Sequence, residues 1–264
     1  MTTQLHFTAQ VSDDSAPWLV LIHGLFGDMD NLAVVRRHFA ATHNIINIDL
    51  PDHGKSPHLD TFSLQACADS IKQVVSQTTE AKVTLLGHSL GGKAAMLCAL
   101  QNPELVSRLI VADIAPATYD ARHNSIIEGL RSVDMQQVSK RSDADKQLAA
   151  HIPETGIRQF LLKSLAQNDE GHWYWRFNLE GLAASYDNVR GWPHTDLQFS
   201  QPTLFIKGNE SDYLLAEHQG IIATLFPKAK AHIVEGAGHW IHAQKPDAFN
   251  SAVEGFFRRT DNQN

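Results

Sequence analysis

Leu85-Leu86-Gly87-His88-Ser89-Leu90-Gly91-Gly92 is the stretch whose reading decides the fold. An apolar run, Val83-Thr84-Leu85-Leu86, enters a Gly-x-Ser-x-Gly turn, and the helix-favouring stretch Lys93-Ala94-Ala95-Met96-Leu97-Cys98-Ala99-Leu100 leaves it. A strand, a sharp turn and a helix in that order form a nucleophile elbow. A serine hydroxyl becomes a useful nucleophile only when it is presented in the open, beside a base and beside donors for the oxyanion it creates. Gly87 and Gly91 stand two residues either side of Ser89, where a side chain would strike the neighbouring strand or helix. An ordinary Gly-rich strand-to-helix loop is the plain alternative, and the flanking apolar strand and Ala-rich helix argue against it.

Outward from the elbow, the same alternation recurs. Pro17-Trp18-Leu19-Val20-Leu21-Ile22 is a continuous apolar run, the pattern of a strand buried on both faces of a parallel sheet. It stops at His23-Gly24-Leu25-Phe26-Gly27-Asp28, and a helix is expected over 31–39. Asn44-Ile45-Ile46-Asn47-Ile48-Asp49-Leu50 is the next strand, followed by the breaker-rich turn Pro51-Asp52-His53-Gly54. An amphipathic helix is expected from Leu64 to Val75, and a strand over Leu109-Ile110-Val111-Ala112 ends in Asp113-Ile114-Ala115-Pro116. Strands alternating with helices predict an α/β fold, a mostly parallel doubly wound sheet. From 119 to 195 the rhythm changes to helices with no convincing strand, as in an inserted helical cap. The aromatic group His172-Trp173-Tyr174-Trp175-Arg176-Phe177 within it is read mainly as packing. The sheet resumes with Pro202-Thr203-Leu204-Phe205-Ile206-Lys207 and ends with a strand through Ala231-His232-Ile233-Val234. The expected division is a core of 1–118 and 196–264 with a cap of 119–195.

Length and composition agree with that plan. At 264 residues and 43% hydrophobic content the chain can bury a large core. A formal net charge of -7, with both signs mixed along the chain, argues against a nucleic-acid or anionic-membrane surface. The N-terminus has no basic lead and no apolar run reaches the length of a signal segment or membrane span, so a soluble cytoplasmic protein is expected. Cys67 and Cys98 form no C-x-x-C pair and read as reduced, core-facing thiols. Asp49, Asp52, His53 and His58 match no metal-ligand spacing and read as a polar loop capping backbone groups, so no metal or cofactor is expected.

The chemistry then assembles from loops at strand ends. Glu235-Gly236-Ala237-Gly238-His239-Trp240 places a Gly-flanked histidine after the last strand, and Ser, acid, His is the chain order of α/β-hydrolases. His239 is the expected base, and His242 falls on a following helix. His23, at a strand end before Gly24, reads as a residue that holds its loop by bonding backbone. The backbone N–H groups of Leu25 and Leu90 are the expected oxyanion hole. The acid has two candidates. The usual position, three residues beyond the strand-ending Gly208, holds Ser211, with Asp212 one residue late. Asp113, at the end of the preceding strand, is preferred, with Asp212 or Ser211 as alternative acid or supporting group. A cap on a helix after Pro116 is the structural alternative for Asp113.

Several segments together resemble the YbfF-type esterases. They are His23 to Asp28 with Asp30-Asn31-Leu32, Gly87 to Ala94, Asp113-Ile114-Ala115-Pro116, Gln159-Phe160-Leu161-Leu162-Lys163-Ser164, Trp175-Arg176-Phe177-Asn178 and Gly236 to Ala243. The similarity spans nearly the whole chain. It implies the α/β-hydrolase fold and a cytoplasmic carboxylesterase or thioesterase acting on small acyl esters, including acyl-CoA thioesters, with an elbow serine and no cofactor. It also implies a serine where most relatives carry the acid after the penultimate strand, as Ser211 stands here. Two rival readings differ in class. A carbon-carbon lyase or synthase of the menaquinone-pathway type is suggested by a resemblance over Pro17 to Asp28, and a non-catalytic ligand-binding member of the fold is the other. Nothing in the sequence indicates an oligomeric state.

Overall fold

A computed structural model describes residues 4–262. The strands are β1 (Phe7–Gln10), β2 (Trp18–Ile22), β3 (Asn44–Ile48), β4 (Val83–His88), β5 (Val106–Ala112), β6 (Leu165–Gln167), β7 (Trp173–Trp175), β8 (Thr203–Gly208) and β9 (Ala229–Val234). The helices are α1 (Ala33–Phe39), α2 (Leu64–Thr78), α3 (Leu90–Gln101), α4 (Asn124–Ser132), α5 (Arg141–Leu148) and α6 (Thr155–Leu162), then α7 (Leu179–Ala184), α8 (Tyr186–Arg190), α9 (Gln219–Leu225), α10 (Ile241–Gln244) and α11 (Pro246–Asp261). Seven strands form one sheet in the order β1-β3-β2-β4-β5-β8-β9, parallel except for β1, which runs antiparallel to β3.

The continuous apolar runs form the middle of this sheet because both faces are covered. In β2, Leu19 and Leu21 face one apolar layer, shared with Val35 and Phe39 of α1 and Phe249 and Phe256 of α11. Val20 and Ile22 face the other, shared with Ile71 of α2 and Ala95 of α3. That alternation is the period of an extended chain. In the fully buried β3 the Asn44 amide is occupied on both atoms, with Nδ2 donating to the Asp13 carbonyl at 2.9 Å, whereas Asn47 is satisfied through Nδ2 alone and its Oδ1 has no partner among the described residues. Asn44 Oδ1 accepts from the Ser12 N–H at 2.7 Å, and Asn47 Nδ2 donates to the Met29 carbonyl at 2.9 Å. The α3 helix is buried from Leu90 to Leu100, which is why its sequence is, apart from Lys93, apolar or small on every side rather than striped.

Three expectations change. The edge strand β1 carries no apolar run, since three of its four residues are exposed, and it lacks the signal by which the central strands were found. The helix expected over 31–39 begins as a 3-10 turn at Met29–Leu32 that Asp28 caps, and only then becomes α1. The segment from 119 to 195, expected to be without strands, contains the two-stranded antiparallel hairpin β6–β7. Its strands are three residues each, too short for a period to show, and Trp173-Tyr174-Trp175 reads as an aromatic cluster. Apolar residues of this segment, including Leu130, Leu161, Phe177 and Leu182, continue the layer that covers α2 and α3. Among the described residues no helix is long and apolar enough to cross a membrane. Cys67 and Cys98 are both buried and unpaired, and burial raises both thiols, Cys98 to about 12.

Candidate active site

Every candidate residue stands at the carboxyl end of a strand or in the loop just after it, on one edge of the sheet. Ser89 follows β4 with φ 52° and ψ -120°, a conformation that a non-glycine residue adopts only when its surroundings impose it. The surroundings here are tight. A Cβ on Gly87 would lie 2.2 Å from the Gly91 carbonyl oxygen, and one on Gly91 would lie 2.3 Å from the carbonyl oxygen of His23. These contacts bring β4, α3 and the end of β2 together at the turn, and the Ser89 side chain projects where the three diverge.

The Ser89 hydroxyl lies 3.0 Å from His239 Nε2, and His239 Nδ1 lies 2.7 Å from Asp113 Oδ2. Asp113 is fully buried, with φ 53°, and its backbone N–H donates to the Ile206 carbonyl of β8 at 2.8 Å. Its carboxylate also accepts from the Ser211 hydroxyl and, at 3.2 Å, from the Gly208 N–H. No helix follows Pro116 until Asn124, so Asp113 caps none. Asp212 points away: its side chain is 73% exposed and pairs with Arg122 at 2.9 Å. The geometry therefore brings Ser89, His239, Asp113 and Ser211 into one hydrogen-bonded chain and leaves Asp212 outside it.

The donors expected for an oxyanion flank the serine. Leu90 is the first residue of α3, where a helix leaves N–H groups without intrahelical acceptors. Leu25 lines the same cavity as Ser89, and a Cβ on the preceding Gly24 would stand 3.2 Å from Ser89 Cβ. His23 is buried and works as a brace. Its Nδ1–H donates to the Gly24 carbonyl at 2.8 Å and its Nε2 accepts from the Leu50 N–H at 3.0 Å. Asp49 accepts backbone N–H groups of Met29 and Lys55 at 2.7 and 3.0 Å, and Asp52 accepts that of Leu59 at 3.1 Å. This is the capping role read from the sequence.

Two groups that the sequence did not single out also touch His239. Tyr213 stacks on the His239 ring with centroids 3.9 Å apart. His88, inside the elbow, donates from Nε2 to the His239 carbonyl at 2.8 Å, tying the histidine loop to the serine turn. Burial, first, and the neighbouring His242 and His239 hold His88 far below the usual histidine pKa. A histidine directly before Ser89 offered a signal that could have been followed. Tyr213 offered none beyond standing two residues after Ser211.

A cavity of about 220 Å³ opens over Ser89, lined by Leu25, Ile126, Ile157, Phe160, Tyr213 and Trp240 among others. That is smaller than the roughly 300–1,000 Å³ of a cleft for drug-sized ligands. A second, narrower cavity on the other side of Ser89 includes Lys93, Arg122 and His123. Lys93 Nζ donates to the carbonyls of Arg190 and Gly191 at 2.6 and 2.8 Å, and burial, with Arg190 nearby, pushes its pKa down to about 7. A larger groove of about 450 Å³ between α9 and β9 contains none of the Ser, His and Asp cluster. Of the aromatic group in the 119–195 segment, Trp173, Trp175 and Phe177 pack as expected, with Trp175 and Phe177 stacked 5.6 Å apart and neither lining the cavity over Ser89, whereas His172 and Tyr174 are exposed.

Comparison with known proteins identifies the family of the chain. The sequence profile of the Alpha/beta hydrolase family matches residues 19–252. The chain is 36% identical to Esterase YbfF of Escherichia coli, over 93% of this chain and 94% of that protein. It is 37% identical to an sn-1-specific diacylglycerol lipase of Mus musculus, over 92% of this chain and 82% of the lipase. Among solved structures, a marine microorganism esterase superposes with a TM-score of 0.92 at 32% identity, over 96% of this chain and 99% of the other.

Proposed function

Because the chain belongs to the alpha/beta hydrolase family, as a serine ester hydrolase resembling the YbfF esterase, we propose that Ser89, His239 and Asp113 are its catalytic triad. The observation that carries the reading is the continuous path from Ser89 Oγ through His239, 3.0 Å on one side of the ring and 2.7 Å on the other, to a buried carboxylate. Asp113 keeps the imidazole proton on Nδ1, so Nε2 faces Ser89 as a base. As the serine oxygen attacks the acyl carbonyl, its proton passes to Nε2 and the carbonyl oxygen takes the negative charge. The N–H groups of Leu25 and Leu90 receive that oxyanion. The imidazolium, stabilised by Asp113, protonates the leaving alkoxide or thiolate, and the acyl-enzyme forms. Water enters, His239 takes its proton, and the same steps reversed release the acid and restore Ser89. Ser211 holds Asp113 in place.

The substrate is a small acyl ester or thioester. The 220 Å³ apolar cavity over Ser89 supports a short acyl chain. Arg122, which lines both cavities, supports substrates with an anionic leaving group, acyl-CoA thioesters included. Residues 119–195 act as the cap over a core of 1–118 and 196–264, because Ile126, Ile157 and Phe160 from that segment wall the cavity. The reaction as written needs no cofactor, and the protein acts in the cytoplasm.

A hydrolysis screen over p-nitrophenyl and CoA esters of increasing acyl length tests the reading, with Ser89→Ala as control. Rates should be highest for short acyl groups and fall several orders of magnitude in Ser89→Ala. A Ser89→Ala protein with near wild-type rates would end the triad assignment. A wild-type protein inert toward the whole panel yet labelled at Ser89 by a fluorophosphonate would favour the elimination reaction of the menaquinone-type enzymes.

A further inference from the structure

Two motifs in the 119–195 segment, Gln159 to Ser164 and Trp175 to Asn178, form no hydrogen bond with Ser89, His239 or Asp113 among the described residues, although Phe160 and Leu161 line the cavity over Ser89. They flank the hairpin β6–β7, whose first register pair is Leu165 with Trp175. At its open end the Arg176 N–H donates to the Ser164 carbonyl at 2.9 Å, so Ser164 and Arg176 stand side by side. Both side chains reach the loop after β2. The Ser164 hydroxyl, on a residue 1% exposed, donates to the Phe26 carbonyl at 2.8 Å. Arg176 pairs with buried Asp28 at 3.0 Å while also donating to the Lys163 carbonyl at 2.6 Å. The next residue, Phe177, packs its ring on that of Phe26 with centroids 4.9 Å apart and is backed by Trp175.

The loop needs holding. Phe26 has φ 59°, in the left-handed region, where a bulky side chain is strained and persists only when its surroundings over-determine it. The neighbouring loop has the same feature. Asp52 has φ 63°, and Asn178 grips it twice, from its N–H to the Asp52 carbonyl at 2.8 Å and from Nδ2 to Oδ1 at 2.7 Å. Asp52 precedes His53, whose Nε2 accepts the Phe26 N–H at 3.1 Å. Of the four non-glycine residues with positive φ among the described residues, Ser89 and Asp113 belong to the triad and the other two are those the hairpin end grips.

We propose that the open end of the β6–β7 hairpin is a clamp that aims the Leu25 N–H at the oxyanion, with Ser164 and Arg176 as its positioning residues. This rests on the oxyanion-hole assignment above and adds the device that sets its geometry. The clamp fixes Phe26 and Asp28, on the far side of Leu25 from Gly24. The 3.1 Å bond from the Gly27 N–H to the Gly24 carbonyl closes the turn between them. Leu25 is thereby held from both sides, while its own N–H makes no hydrogen bond among the described residues.

The test compares Ser164→Ala and Arg176→Gln with the wild type, each normalised by endpoint titration of Ser89 with a fluorophosphonate. Deleting an oxyanion donor costs about 10²- to 10³-fold in kcat, and misaiming one without deleting it should cost about tenfold. The expected result is that loss in kcat per titrated site, with KM within about twofold of wild type and a parallel loss of affinity for a trifluoromethyl ketone, whose hemiketal oxyanion occupies the same hole. A merely structural role would lower the titrated fraction and the melting temperature and leave kcat per site unchanged, and that result overturns the clamp. Arg176 has a side chain 27% exposed, so Arg176→Gln keeps the question answerable if Ser164→Ala does not fold. If Ser89→Ala retained full activity, the triad reading would fall and this inference with it. Unchanged variants beside a dead Ser89→Ala would refute the clamp alone.

Discussion

Replacing Asp113 by Asn gives the sharpest test of the triad, because the two residues have the same shape and the structure says which atom each oxygen must satisfy. In the wild type, Oδ1 accepts the Gly208 N–H at 3.2 Å, while Oδ2 accepts Ser211 Oγ–H and His239 Nδ1–H. A backbone N–H can only donate, so in Asp113→Asn the amide oxygen stays toward Gly208 and the NH2 group takes the Oδ2 place. There it meets His239 Nδ1 at about the same 2.7 Å separation, donor against donor, unless the ring moves its proton to Nε2. That tautomer points N–H at Ser89 Oγ, 3.0 Å away, and cannot take the serine proton. The expected loss in kcat is about 10⁴-fold, the cost of the wrong tautomer in a serine triad, or about 5 kcal/mol of transition-state stabilisation. KM should hardly move, since Asp113 does not line the cavity over Ser89. Asp212→Asn is the internal comparison. Its partner Arg122 sits at 2.9 Å but the carboxylate is 73% exposed, and such pairs contribute about 0–1 kcal/mol, so at most a fivefold or so effect is expected. Initial rates on p-nitrophenyl acetate, with circular dichroism melts to establish folding, decide the matter. An Asp113→Asn enzyme within about tenfold of wild type, or an Asp212→Asn enzyme that collapses while folded, would refute this assignment.

Ser211→Ala should lower kcat by about tenfold while the protein stays folded, because a hydrogen bond to a charged group is lost but His239 still holds Asp113. Steady-state kinetics check this, and an unchanged kcat would reduce Ser211 to packing. Acid should destabilise the fold through its buried histidines. Burial pushes His53 and His242 down to about 3 and His123 to about 4, and it is the main cause of the lowered values of His23 and His88. Below the ordinary value of 6.5 the unfolded chain binds protons that the folded one refuses. Stability conferred by these neutral rings is therefore complete above about pH 6.5 and is lost progressively as pH falls from there toward 3–4. Thermal melts between about pH 7.5 and 4.5 should show a falling midpoint beginning near 6.5, and a flat profile would mean the rings protonate without cost.

Much of the site was readable because it depends on local spacing. Glycines two residues either side of Ser89 are forced by the turn itself, and the 2.2 and 2.3 Å clearances at Gly87 and Gly91 are the steric content of that motif. His239 was readable because a Gly-flanked histidine after the last apolar run has few other places to go. The central strands were legible as unbroken apolar runs, since burial on both faces leaves no alternation to decode. The β1 strand and the β6–β7 hairpin were not. An exposed edge strand lacks the run, and three-residue strands are too short for any period.

What the sequence by itself determined is the class of sheet and the addresses of Ser89 and His239 at the ends of its strands, because each address follows from spacing between residues near one another in the chain. Which carboxylate meets His239 was a question for tertiary structure. Asp113 and Asp212 both follow apolar runs, and only the strand order β4-β5-β8-β9, which seats β5 between the serine strand and β8, brings Asp113 against His239 and swings Asp212 to solvent. The same holds for Ser164 and Arg176. Their 138- and 148-residue separations from Phe26 and Asp28 are closed by a hairpin docking on a loop, and no local pattern in either segment encodes that meeting.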